Sequence, residues 1–260
     1  MKSLFLEILK NYLENKSKPF GKNEFANYIR SGPSNIIDID DSKYLIEGSP
    51  GKGNWATIPW ISIFDKEITT SASKEGYYIV YLFCADMSGV YLSLNQGWTY
   101  YQDKYKITKG KKEIQKVSLK WRDELNLIKS EFDFKIDLKS NITLAQGYEL
   151  GHICGKYYSI NDFPEDQVLE NDLKHLLLLY QELKNKLNVF KNMSTIDDTI
   201  LLSNEINESF SLNPGKLILK NQFVPTSQGK SSKKERQVDY LKKMRSTIKL
   251  GKIGERLVLE

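Results

Sequence analysis

Two cysteines, two histidines and no long apolar run set the first limits on this 260-residue chain. Cys84 and Cys154 are too few for a disulfide scaffold. Both stand in strand-like apolar stretches, so a reduced, cytoplasmic protein is expected. His152 and His175 leave little for a zinc site, which takes three or four protein ligands, and His175 falls inside a leucine-rich helical pattern. No metal or other cofactor is expected. No segment approaches the ~18–20 apolar residues of a membrane span. Glu7 and Lys10 interrupt the N-terminal segment where a secretory signal needs an apolar stretch. A P-loop is missing too: Gly51-Lys52 is followed by Gly53, and Ile46 stands where its first glycine belongs.

What is present is core material and unevenly placed charge. Hydrophobic residues make up 40% and aromatics 12%, enough for one large or two modest folded units. The formal charge is +5, yet residues 226–249 alone carry +6, which leaves −1 for residues 1–225 and zero for 250–260. The basic character therefore belongs to the tail. A second cluster, residues 104–120, holds seven lysines against Glu113. Such a face suits phosphates, and a solvated helix surface explains it equally well.

Phe5, Ile8, Leu9 and Tyr12 mark a helix over 3–15, and a short helix at 22–30 should end at Ser31-Gly32-Pro33. Ile58–Phe64, Tyr77–Cys84 and Val90–Leu94 read as strands, the first two buried on both faces. Ile114, Val117, Trp121, Leu125 and Ile128 indicate an amphipathic helix at 111–129. Phe132, Phe134, Ile136 and Leu138 alternate with charged residues as in a half-exposed strand. The strongest helix is 164–187, led by Pro164, Glu165 and Asp166 and carrying Leu169, Leu173, Leu176, Leu177, Tyr180, Leu183 and Leu187. A weaker helix is expected at 194–208. Residues 225–236 are linker-like in composition, and helical spacing resumes at Val238.

Little of this is catalytic. Asp133-Phe134-Lys135 and Asp137-Leu138-Lys139 are Asp-x-Lys pairs of a kind a metal-dependent nuclease uses, and an ordinary half-exposed strand explains them as well. The unusual stretch is 48–64, where Gly48, Pro50, Gly51 and Gly53 precede Trp55, Pro59 and Trp60. A glycine loop beside rigid aromatics allows close backbone approach and base stacking. A tryptophan pair beside a strand is also common core material.

Ordered blocks make the pattern specific. Residues 51–61 (GKGNWATIPWI), 68–72 (ITTSA), 76–83 (GYYIVYLF), Asp86-Met87 and 90–97 (VYLSLNQG), then Gly147-Tyr148 and Tyr157-Tyr158, resemble the McrB-type N-terminal domain family over residues 1–190. The resemblance implies a DNA-reading module of modification-dependent restriction. In such a module a methylated or hydroxymethylated cytosine is flipped into a pocket of double-stranded DNA's reader. It places Trp60 at the pocket tryptophan, Leu82 at an apolar wall and Tyr148 as a further lining aromatic, with Asn54 in the adjoining loop. Where the family has an aromatic between two loop glycines, this chain has Lys52, suited to a phosphate, to the gap left by the flipped nucleotide, or to neither; Trp55 is then a candidate for the missing aromatic face. Lys104, Lys106, Lys109, Lys111 and Lys112 are the candidates for backbone contact.

Val238-Asp239-Tyr240-Leu241 and residues 248–260 are similar to the opening of the nuclease-like domain named after the plant protein NO VEIN. The expected organisation is a recognition domain (1–190), its extension (191–224), a basic linker (225–236) and the cut-off start of a nuclease-like domain (237–260). The expected fold is α/β: one main domain with a mixed, twisted central sheet flanked by helices, then the linker and a helical tail. This chain is expected to recognise modified DNA and not to be an enzyme, with a nuclease in cis or in trans and no membrane partner. The alternatives are a metal-dependent nuclease acting through an Asp-x-Lys strand, and a protein-interaction domain of a defence complex.

Overall fold

The computed structural model describes residues 1–72, 76–127 and 131–189. The helices expected at 194–208 and from Val238, the 225–236 linker and the 237–260 segment lie outside the described residues.

The α/β expectation holds, with a five-stranded sheet at the centre. Strands β1 (Tyr44–Ser49), β2 (Trp60–Asp65), β3 (Tyr77–Phe83), β4 (Gly89–Gln96) and β5 (Cys154–Ser159) lie side by side in chain order. The sheet is antiparallel throughout, where a mixed one was expected. The first three connections, residues 50–59, 66–76 and 84–88, are shorter than the dozen or more residues a parallel crossover takes.

Alternation along the strands gives the sheet two apolar faces. Ile61, Ile63, Tyr77, Ile79, Tyr81, Phe83, Leu92 and Leu94 join the larger core with helices α1 (Lys2–Lys16) and α5 (Asp166–Val189). Phe5 of α1 sits 4.6 Å from the Tyr81 ring, and the Tyr180 hydroxyl of α5 donates to the Tyr77 carbonyl at 2.6 Å. Phe64, Tyr78, Val80 and Leu82 face the other way, into a smaller core. All of β3 is buried, as its unbroken apolar run implied.

Three elements depart from the sequence reading. Helix α2 (Glu24–Ile36), capped by Asn23 Oδ1 accepting from the Ala26 N–H at 3.1 Å, runs through Pro33 to Ile36. Proline there leaves the Ile29 carbonyl without its helical donor, and β1 packs against it: a Cβ on Gly48 would fall 1.7 Å from that oxygen. Helix α3 (Trp98–Glu124) begins well before residue 111 and is broken at Lys106. The strand expected at 132–138 contributes one bridge, Asp133 with Gly155. Beyond it the chain leaves the β5 edge and crosses the second face to where the Ala85 N–H donates to the Leu138 carbonyl at 2.9 Å. Its alternation still has meaning, because Ile136 and Leu138 enter the smaller core. Helix α4 (Thr143–Gly151) completes that face, with α3 packed against it.

Candidate nucleic-acid interface

The loop between β1 and β2 is shaped from below. Gly51 has φ +129°, and a Cβ there would lie 2.0 Å from the Asn54 carbonyl, so only glycine fits the turn. The Ala56 N–H closes the turn on the Pro50 carbonyl at 2.7 Å. Tyr12, reaching up from α1, points its hydroxyl at the Pro50 and Ala56 carbonyls, 2.9 Å from each. Burial raises the Tyr12 pKa, so this clamp stays a neutral donor. Lys52, Gly53 and Asn54 are left exposed at the tip.

Removing the clamp tests its role. Tyr12→Phe deprives two carbonyls of their shared donor, and a loss of about 1–2 kcal/mol in stability is expected. Trypsin should then cut after Lys52 faster than in the parent protein. Equal cleavage rates would show that the turn holds its shape without Tyr12.

The two tryptophans of the loop part company. Trp55 packs against the larger core, edge-on to Tyr12 and Phe20 with centroids 5.4 and 5.2 Å away, and its indole N–H donates to the Lys18 carbonyl at 2.9 Å. It joins the loop to the α1–α2 connection. Trp60 begins β2 on the opposite face, directly across from Leu82, and packs half-buried on the smaller core. Tyr148 of α4 belongs to the same core. Trp60, Leu82 and Tyr148 are therefore brought together, and Trp55 stands apart from them. Leu82 is fully buried and Tyr148 6% exposed, so Trp60 offers the accessible aromatic surface of the three.

Ile58, Ile136, Leu138 and Ala145 complete the surroundings, and Tyr91 follows Leu82 in the cross-strand register. Sequence reasoning did not single these out for the site. Tyr91 stood in a strand already recognised, but Ile136 and Leu138 looked like the inner side of an ordinary strand. The wall they form is pinned by Glu149 of α4, whose carboxylate accepts from the Leu138 N–H at 2.9 Å and whose pKa is raised by burial.

Behind this wall lies a hydrogen-bonded chain across the second face. Asn95 Nδ2 donates to the Tyr148 carbonyl and to Ser93 Oγ, both at 3.0 Å; Ser93 Oγ is 2.7 Å from His152 Nδ1. His152 Nε2 is 3.0 Å from the Asp133 carbonyl, which fixes the tautomer: Nε2 carries the proton and Nδ1 accepts. Burial, with Arg122 nearby, lowers the His152 pKa to about 4, so the ring is neutral. It is a structural histidine that ties β4 and α4 to the crossing segment.

The lysines spread along α3. Lys104, Lys106, Lys109 and Lys112 are exposed, Lys104 and Lys109 lying over the Tyr105 ring. Lys111 is half-buried and donates to Gln146 of α4 at one side of a cleft of about 620 Å³ that Arg122 and Phe134 also line. The Asp-x-Lys pairs are not on a strand. Lys139 Nζ lies 2.7 Å from Asp137 Oδ2, and among the described residues no group of three His, Cys, Asp or Glu side chains is placed to hold a metal.

The sequence model of the MrcB-like N-terminal domain matches residues 7–185, which takes in the whole sheet, the loop, helices α2 to α4 and most of α1 and α5. The chain belongs to this family. Membership indicates DNA binding within modification-dependent restriction; the match ends at residue 185, and the resemblance of residues 237–260 to a NO VEIN-type domain is not supported. No curated protein and no solved structure matches the chain. Within this MrcB-like domain no helix among the described residues is long and apolar enough to cross a membrane.

Proposed function

We propose that the chain is the DNA-recognition module of a modification-dependent restriction system in the cytoplasm, reading a modified cytosine by taking the flipped base against Trp60. A nuclease in cis or in trans would do the cutting. The observation that carries this reading is the meeting of Trp60, Leu82 and Tyr148 in one apolar cluster at the foot of a glycine turn. A methyl group on a pyrimidine is sensed by apolar contact, worth ~1–3 kcal/mol for a group of that size. The exposed tip supplies Lys52 and Asn54 next to the site, where an ammonium meets a phosphate or stands in the gap the base leaves. The lysines of α3 add sequence-independent affinity, which weakens as salt rises.

Fluorescence anisotropy with matched duplexes carrying cytosine, 5-methylcytosine, 5-hydroxymethylcytosine or N6-methyladenine tests the reading. One modified cytosine should bind about tenfold or more tightly than the unmodified duplex, and Trp60→Ala should erase that preference while leaving salt-dependent binding. Equal binding of all four would remove modification sensing. Failure to bind any duplex at low salt would favour the protein-interaction alternative.

A further inference from the structure

The break in α3 is not an ordinary bend. Lys106 has φ 64° and ψ 173°, a conformation found almost only at glycine because a Cβ there crowds the backbone. Folds retain strained residues of this kind where the resulting shape is used. Here the break turns Ile107 outward, leaving it 45% exposed beside Thr108 and Lys109. Lys106 and Lys109 line the same hollow as that apolar tip, and the Lys104 ammonium, three residues before Ile107, donates to the Tyr100 hydroxyl at 2.9 Å. Lys104 and Lys109 reach over the Tyr105 ring at 5.6 and 5.2 Å from its centroid, which holds two of the charges in place. Among the described residues that line this hollow of about 640 Å³, Asp103 is the one acidic side chain.

An exposed β-branched apolar side chain in a turn with lysines before and after it has the chemistry of a minor-groove wedge. The charges take phosphates on both strands while the side chain enters between two base pairs and kinks the duplex. An anionic bilayer would also attract the lysines, but one isoleucine is too small an apolar face to hold a protein on it. A single wedge residue is enough to unstack a base step.

We infer that the 104–109 turn is a second DNA contact of this chain, with Ile107 the wedge and Lys104, Lys106 and Lys109 on the flanking phosphates. The inference rests on the DNA-binding reading above and adds to it a bend of the duplex. The wedge acts on any sequence, so it raises affinity without choosing between modified and unmodified DNA.

The test uses the full chain and a short duplex carrying a fluorophore pair at its ends, with and without a modified cytosine. The parent protein should shorten the end-to-end distance on binding. Ile107→Ser should bind both duplexes about tenfold more weakly and abolish the shortening, with the ratio between the duplexes unchanged. Ile107→Leu, still apolar, should bind and bend as the parent does, and an unaltered melting temperature of Ile107→Ser would exclude unfolding. Trp60→Ala should do the reverse, keeping the bend and losing the ratio. Parent-like binding and bending by Ile107→Ser would overturn the wedge while leaving the base-reading site intact. So would DNA bound without any bend, or binding to phosphatidylserine vesicles that depends on Ile107 when duplex binding does not. If the parent binds no duplex, the DNA-binding reading fails first and the wedge with it.

Discussion

Gly147→Ala is expected to destabilise the domain by about 3 kcal/mol, although helix propensity alone favours alanine by ~1 kcal/mol. Gly147 lies inside α4, where a glycine is intrinsically costly. A Cβ there would sit 2.2 Å from Cγ of Trp98 and 2.3 Å from Cδ2, on the face of an indole that is almost completely buried. The ring has no flexible end to give way. Either Trp98 leaves its site at the start of α3, or α4 moves off the sheet. Contact geometry therefore outweighs propensity. Tyr148 is the next residue, so a displaced α4 also disturbs the cluster around Trp60. Urea denaturation followed by tryptophan emission would show a lower midpoint and an altered native spectrum. A midpoint equal to or above that of the parent would mean that Trp98 can shift within its site at little cost.

Acid should weaken the fold through His152. The folded-state pKa is depressed to about 4 from an ordinary value of 6.5, chiefly because the ring is buried. The unfolded chain therefore takes up a proton that the folded chain refuses. The contribution is fully present above pH 6.5, falls as the pH drops from 6.5 towards 4, and amounts to about 3 kcal/mol across that window. Glu149 works in the opposite sense. Its raised folded pKa makes the folded state bind its proton first, which offsets part of the loss as the pH falls. Comparison with His152→Gln isolates the histidine, since Glu149 is common to both proteins. The parent should lose stability more steeply than the variant between pH 7 and 4.5. Parallel curves would mean that the buried imidazole is protonated in the folded protein without penalty.

Where burial and periodicity agree, the elements could be read from residues alone. Helix α1 buries Phe5, Ile8, Leu9 and Tyr12, and α5 buries Leu169, Leu173, Leu176, Tyr180, Leu183 and Leu187, with Leu177 half-buried and Leu178 exposed. Strand β3 was legible because a short β-branched and aromatic run has few other uses. Helix α3 was harder, since its first half carries little apolar periodicity and the strained Lys106 interrupts the pattern. The crossing segment 132–138 misled because alternation reports which side chains face inward and not what the backbone pairs with. The glycine loop was recognisable, and the resemblance to McrB-type domains named both Trp60 and Leu82, which the register sets side by side. Trp55 could not be assigned that way. Its place depends on Tyr12, Phe20 and the Lys18 carbonyl, all more than thirty positions away in the chain.

The order in which the sheet is strung has a consequence for how the site comes into being. Strands β1 to β4 follow one another through short links, so their hairpins can close from local contacts. β5 returns only after a 57-residue excursion, residues 97–153, and that excursion carries Ile136, Leu138, Ala145 and Tyr148. The floor of the cluster, with Trp60 and Leu82, thus belongs to the early-forming meander, and its walls belong to the part with the largest loop-closure cost. In chain order, the strands that carry Trp60 and Leu82 precede every residue of that excursion. The cluster around Trp60 is therefore complete only when the last strand of the sheet is in place.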